Sequence, residues 1–165
     1  MNKIYFYIIV LFFLKTINIF AFEGECLFEE VYKNGEIQNG LLLISDQEIR
    51  YEYFNNNFFT IIYSEGNFYL ISNNDRENFE KINDQRLNVF QNLVNIVQSY
   101  PNINKNMTVD GLDLLIEDSQ DKVIPKRIVV KSSKVNLSIY LNQCKEKPIS
   151  KLFFKFNPIF EYPLK

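Results

Sequence analysis

Residues able to do chemistry are few in this chain, and the absence of one type narrows the field first. Its 165 residues contain no histidine, which removes the commonest general base and the commonest metal ligand together. Two cysteines are too few for a cysteine-rich zinc site. Carboxylates stand close in sequence at Asp110 and Asp113, and at Glu117 and Asp118. Such pairs are usually turn and strand-edge charges, and no Ser-His or Cys-His arrangement can be completed here. The expectation is a protein that is not an enzyme and uses no metal or cofactor. A formal charge of −2 gives no electrostatic footprint for nucleic acid.

The remaining chemistry is apolar. Hydrophobic residues make up 47% of the chain and aromatic residues 16%, which excludes a disordered polypeptide. At Glu48–Tyr53 the order E-I-R-Y-E-Y alternates, so Ile49, Tyr51 and Tyr53 share one face of a strand and Glu48, Arg50 and Glu52 the other. A sheet with such an aromatic face has to cover a core, a helix or a greasy ligand.

The elements that position this face follow in succession. From Gly40 to Asn74 the chain is a series of β-type runs broken at Ser45-Asp46, at Asn55–Asn57 and at the hairpin signal Glu65-Gly66-Asn67. Leu27–Asn34 and Glu36–Ile44 flank the turn signal Asn34-Gly35, and Phe79–Ile82 adds a short edge piece. The period then changes. Leu87, Phe90, Leu93, Val94 and Val97 form the stripe of an amphipathic helix, with Asp84 as N-cap and Tyr100-Pro101-Asn102 as stop. Its other face carries the amides Asn88, Gln91, Asn92, Asn95 and Gln98. β character resumes at Met107–Ile116, at Val123–Val130 with Pro125 at an edge or start, at Val135–Leu141, and at Leu152–Phe156 with Phe154 and Phe156 on one face. About nine strands and one helix predict an antiparallel sheet curved around a helix, or a partly closed barrel.

The N-terminus has the layout of a secretory signal: a positive start at Met1–Lys3, an apolar run from Ile4 to Leu14, and Ala21 before a break. Residues 1–21 are expected to be a signal peptide cleaved after Ala21, or a retained anchor, followed by one domain over 22–165. Export to an oxidising compartment makes a Cys26–Cys144 disulfide the expected state, against two separate buried thiols.

Several motifs in order resemble the periplasmic carrier of outer-membrane lipoproteins, the LolA-like family. A glycine-led strand is matched by Gly40-Leu41-Leu42-Leu43-Ile44, an R-aromatic-x-Y strand by Ile49-Arg50-Tyr51-Glu52-Tyr53, and a strand ending in D-G by Ile61-Ile62-Tyr63-Ser64-Glu65-Gly66, followed by Phe68-Tyr69-Leu70-Ile71. Ile124-Pro125-Lys126-Arg127-Ile128 and the closing Phe154-Lys155-Phe156-Asn157-Pro158 complete the pattern. The chain departs from it in lacking a helix before the first strand and in carrying Ser45-Asp46-Gln47 where the family places a lid-binding arginine.

The resemblance implies an open antiparallel half-barrel with helix over its concave face, a periplasmic location, and a hollow that shields acyl chains in transit to the outer membrane. It implies as partners lipoprotein acyl chains or other lipids, an inner-membrane releasing complex and an outer-membrane acceptor. The lipid-cavity candidates are then Ile49, Tyr51, Tyr53, Ile61, Tyr63, Leu70, Phe154 and Phe156 on the sheet, with Phe90, Leu93 and Val97 on the helix. The alternatives are that these side chains fill a dry core, and that the protein is a non-transporting relative acting as a protein-binding or envelope-sensing module with Glu48, Arg50 and Glu52 as solvated sheet surface.

Overall fold

The computed structural model describes residues 22–75, 78–82 and 87–155. The expected signal segment 1–21, the expected N-cap Asp84 and Phe156 lie outside the described residues. Ten strands form one antiparallel sheet: β1 (Gly24–Tyr32), β2 (Ile37–Ser45), β3 (Glu48–Tyr53), β4 (Phe59–Ser64), β5 (Asn67–Ser72), β6 (Phe79–Ile82), β7 (Asn106–Val109), β8 (Leu112–Asp118), β9 (Pro125–Lys131) and β10 (Asn136–Glu146). Their spatial order is β6-β5-β4-β3-β2-β1-β10-β9-β8-β7, so two meanders meet where β1 pairs with β10. The sheet is open, with β6 and β7 as its two edges. Helix α1 (Asn88–Ser99) sits in sequence between those edges, and a 3-10 helix (Lys151–Phe154) follows β10. No helix among the described residues is long and apolar enough to cross a membrane.

Alternation decides which face is covered. Cys26 and Phe28 of β1, Leu42 and Ile44 of β2, Leu114 and Ile116 of β8, Ile128 and Val130 of β9 and Leu137, Ile139 and Leu141 of β10 join one buried cluster with Leu93, Val94, Ile96 and Val97 of α1. The strand residues between them face the other way. There Leu43, Ile62 and Ile71 form a smaller cluster under Ile149 and Phe154, brought over by the segment after β10. Glu23 pins that segment, its Oε1 accepting from the Ile149 backbone N–H and the Ser45 hydroxyl, both at 3.0 Å.

Three expectations are corrected. Met107–Ile116 is not one strand. Asp110-Gly111, both with positive φ, turns it into the two-residue hairpin β7–β8, in which Val109 pairs with Leu112. The closing segment is the 3-10 helix and not a strand, because Ser150 caps the Leu152 N–H and starts a turn. Arg50 is not solvated surface but only 6% exposed. Its Nε donates to Glu52 at 2.7 Å and its Nη1 to the Phe153 carbonyl at 3.1 Å.

The two cysteines are bonded to each other across β1 and β10. The ladder slips there, pairing Glu25 with Lys145 and Leu27 with Asn142, so Cys26 faces the two-residue bulge Gln143-Cys144, with Gln143 at φ +50. The bridge joins residues 118 apart at the seam of the two meanders. Replacing both cysteines with alanine is expected to lower stability by roughly 4–5 kcal/mol, the loop-closure figure for so long a loop. Urea unfolding checks this, and an unchanged midpoint would show that strand pairing alone holds the seam.

Candidate functional site

The site is the seam between α1 and the face of the sheet beneath it. Residues 49, 51 and 53 of β3, 61 and 63 of β4, and 68 and 70 of β5 alternate onto this face, since each strand pairs in register with the next: Tyr51 with Ile61, and Ile61 with Leu70. The structure thus brings together Ile49, Tyr51, Tyr53, Ile61, Tyr63 and Leu70 with Phe90, Leu93 and Val97. Phe154 does not belong with them. It is buried on the opposite face, because the 3-10 helix lays it against Leu43, Ile62 and Ile71.

The space that the described residues enclose in this seam is far smaller than an acyl chain needs. Ile49, Tyr51, Ile61, Tyr63, Phe68, Phe90, Leu93 and Val94 enclose about 10 Å3, the space of one water at most. A groove of about 1140 Å3 does exist on the opposite face, between Asp46, Glu48, Glu65, Lys151 and Lys155. Tyr69, Phe79 and Phe154 also line it, so an apolar wall lies beneath the charged rim, at the place where the described residues end.

Helix α1 is held by apolar contact. Its N-cap, Leu87, offers no side-chain bond, its first turn has no acid and its last turn no base. Asn92, on the amide face, is nonetheless buried, and its Nδ2 donates to the Asn88 carbonyl one turn back at 2.8 Å. Gln91 bonds Asn95. Among the described residues, no side-chain hydrogen bond runs from α1 to the sheet. The first polar tie comes just past its end, where the Tyr100 hydroxyl donates to Asp118 Oδ1 at 2.9 Å and Lys105 pairs with the same oxygen. The Lys105 ammonium, with Tyr100, holds the Asp118 carboxyl below its ordinary range.

A polar group that sequence reasoning missed lies in the same face. Glu30 of β1 is 2% exposed, on the helix-side register of Cys26 and Phe28. Its Oε1 accepts from the hydroxyls of Tyr51 at 2.8 Å and Tyr53 at 3.0 Å, and its Oε2 from Tyr32 at 2.6 Å and Tyr53 at 3.0 Å. Phe28 stacks on Tyr51 with centroids 3.8 Å apart and meets Tyr53 edge-on. Gly40 makes room for that stack, since a Cβ there would come within 2.2 Å of the Phe28 ring. The signal available was local: in Leu27–Tyr32 the helix-side alternation runs through Glu30, an acid at an inward position.

Three of the four paired carboxylates of the sequence have side-chain partners. Asp113 accepts from Thr108, Glu117 pairs with Arg127, and Asp118 holds Tyr100 and Lys105. Among the described residues, no group of three or more Cys, Asp or Glu is placed to hold a metal ion. No family model and no curated protein matches the chain.

Two predictions follow from the tyrosine cluster. Burial, and then the Glu30 charge, push the Tyr51 and Tyr53 phenols well above their ordinary range. The folded protein therefore keeps two protons that the unfolded chain releases near pH 10, so this stability is complete below about pH 10 and lost above it. The expected loss from these two groups is negligible near pH 8 and steepens to about 2.7 kcal/mol per pH unit above about pH 10, read by urea unfolding between about pH 8 and 11. A Tyr51→Phe, Tyr53→Phe double variant should show a slope shallower by that amount; an equal slope would refute it. Separately, Glu30→Leu strands two deeply buried hydroxyls at about 1–3 kcal/mol each, whereas Glu30→Gln keeps an acceptor and should cost less. Equal stability of the two variants would contradict this.

Proposed function

We propose that this protein is a carrier of LolA-like type, which shields the acyl chains of lipoproteins or other lipids in the periplasm between the inner and outer membranes. The observation that carries the reading is the apolar attachment of α1 to an aromatic sheet face. A helix of 12 residues is marginal by itself and owes its stability to packing. The face it covers would be exposed if it left. Hydrocarbon can replace the helix side chains in kind, each buried methylene supplying about 0.8 kcal/mol. No polar bond from the body of α1 has to be broken and left unsatisfied.

In this reading the ~10 Å3 seam is the closed state, and the helix stripe of Leu93, Val94 and Val97 stands in for cargo. The Tyr100–Asp118 bond favours a swing about the C-terminal end of α1. Arg50 takes no part, since it faces the other side of the sheet.

The filled seam also favours a second reading, a protein of the same fold that carries no lipid and binds a protein partner in the envelope. Protein purified from the envelope fraction separates them by native mass spectrometry. The carrier reading expects bound acyl species, whose occupancy rises in Phe90→Ala, a variant that loosens the lid contact to Tyr51. Protein free of lipid in both forms, but recovered with a stoichiometric protein partner, would establish the second reading and exclude the first.

A further inference from the structure

On the face of the sheet away from α1, the cover laid by the segment after β10 stops at a groove. Leu43, Ile62 and Ile71 lie under Ile149 and Phe154, but one strand further out Phe79 of β6 is 43% exposed. Phe79 pairs with Ile71, and Tyr69 precedes Ile71 by two residues on β5, so both rings stand on this same face. Together with Phe154 they wall the groove of about 1140 Å3, whose rim comes from the β2–β3 and β4–β5 turns and from Lys151 and Lys155.

The chemistry of the groove says what it takes. Its rim charges are already matched: the Ser64 hydroxyl donates to Glu48 at 2.6 Å, and Lys151 lies 3.8 Å from Asp46. A charged ligand gains little at so exposed a rim, whereas the rings beneath it gain from every apolar contact. The volume exceeds the roughly 300–1,000 Å3 of most small-ligand sites and suits a run of several residues.

Such a run begins at the groove itself. Lys155 lines it, and the chain continues as Phe156-Asn157-Pro158-Ile159-Phe160-Glu161-Tyr162-Pro163-Leu164-Lys165. Phe156, Ile159, Phe160, Tyr162 and Leu164 are large and apolar or aromatic, and the two prolines favour extended backbone over helix. Extended, residues 156–165 reach about 33 Å, while the step from β4 to β6 is only about 10 Å. Tethering at Lys155 gives this segment an effective concentration in the millimolar range, which any outside peptide would have to exceed.

We propose that residues 156–165 seat in this groove, laying their apolar side chains on Tyr69, Phe79 and Phe154 and so extending the cover outward to β6. The groove is then a self-occupied docking surface. A partner gains it only by presenting an apolar, aromatic peptide that outcompetes the tethered one. The carrier reading concerns the other face of the sheet, and the two stand or fall separately.

The chain has no tryptophan, so Phe160→Trp in the purified protein places a single reporter in the segment. A synthetic peptide of residues 156–165 with the same substitution is the exposed reference. The protein is expected to show blue-shifted emission and acrylamide quenching at least about threefold weaker than the peptide, as for a segment seated two-thirds of the time or more. Adding Phe79→Asp should return both readings to those of the peptide. Peptide-like quenching in Phe160→Trp itself overturns the proposal and leaves the groove to an outside ligand. Protection that persists with Phe79→Asp overturns it too, since the segment would then be buried elsewhere. Protection that rises with protein concentration, in step with a dimer seen by sedimentation, assigns the groove to a second copy instead. Should the Phe79→Asp variant fail to fold, nuclear Overhauser contacts in the unaltered protein decide: a ring of Phe156, Phe160 or Tyr162 must touch Tyr69 or Phe79, and the lack of any such contact refutes the seating.

Discussion

The structure depends on one topological constraint: consecutive strands β6 and β7 lie at opposite edges of a ten-stranded sheet. The 23 residues between Ile82 and Asn106 must cross nine inter-strand spacings, about 43 Å if the sheet were flat. Helix α1 contributes about 18 Å of that, and the rest could add at most ~36 Å fully extended. There is little slack. A helix two turns longer would leave about four residues and a reach of about 42 Å, with no slack across a flat sheet of this width. The crossing also fixes which face is covered, since only the helix-side register of the strands is apolar along its whole width.

The other face is covered only in part, over β2, β4 and β5, and by different means. Over one face the cover is a helix attached through side-chain packing. Over the other it is the segment after β10, fastened by Glu23 to the Ile149 N–H and by Arg50 to the Phe153 carbonyl. Those bonds are made by charged groups and are stronger than neutral ones. The cover without such bonds is the one that can be exchanged for another apolar surface. This asymmetry separates a face covered by packing alone from one whose cover is also fastened by charged hydrogen bonds.

Much of this was legible in the sequence, and the misses have identifiable causes. The alternation at Glu48–Tyr53 gave both the extent of β3 and the face of Ile49, Tyr51 and Tyr53, because period two leaves no freedom once one face is buried. The stripe from Leu87 to Val97 located α1 for the same kind of reason. Asp110-Gly111 was a hairpin signal as strong as Asn34-Gly35, but the continuous apolar pattern on either side masked it. Phe154 was misplaced because the spacing of two phenylalanines reads as a strand, whereas a capped 3-10 turn aims the first of them at the opposite face. Arg50 illustrates the remaining limit. Which of two alternating faces is later covered by a distant segment is a tertiary fact, and nothing within Glu48–Tyr53 encodes it.

Glu30 shows where local inconsistency carries information. Each level of the β1 sequence agrees with an inward apolar strand except this one position. Its burial is tolerated only because three tyrosines from two strands converge on it, and those tyrosines are in turn oriented by it. Tyr51 could otherwise pack as a phenylalanine against Phe28 and Phe90. The hydroxyls of Tyr51 and Tyr53 therefore have one role visible in the fold, to solvate an anion away from water. A sheet face needing only to be greasy would carry neither the anion nor its solvation. Such a departure from the simplest stable core places a fully satisfied polar network at the end of the seam that α1 covers.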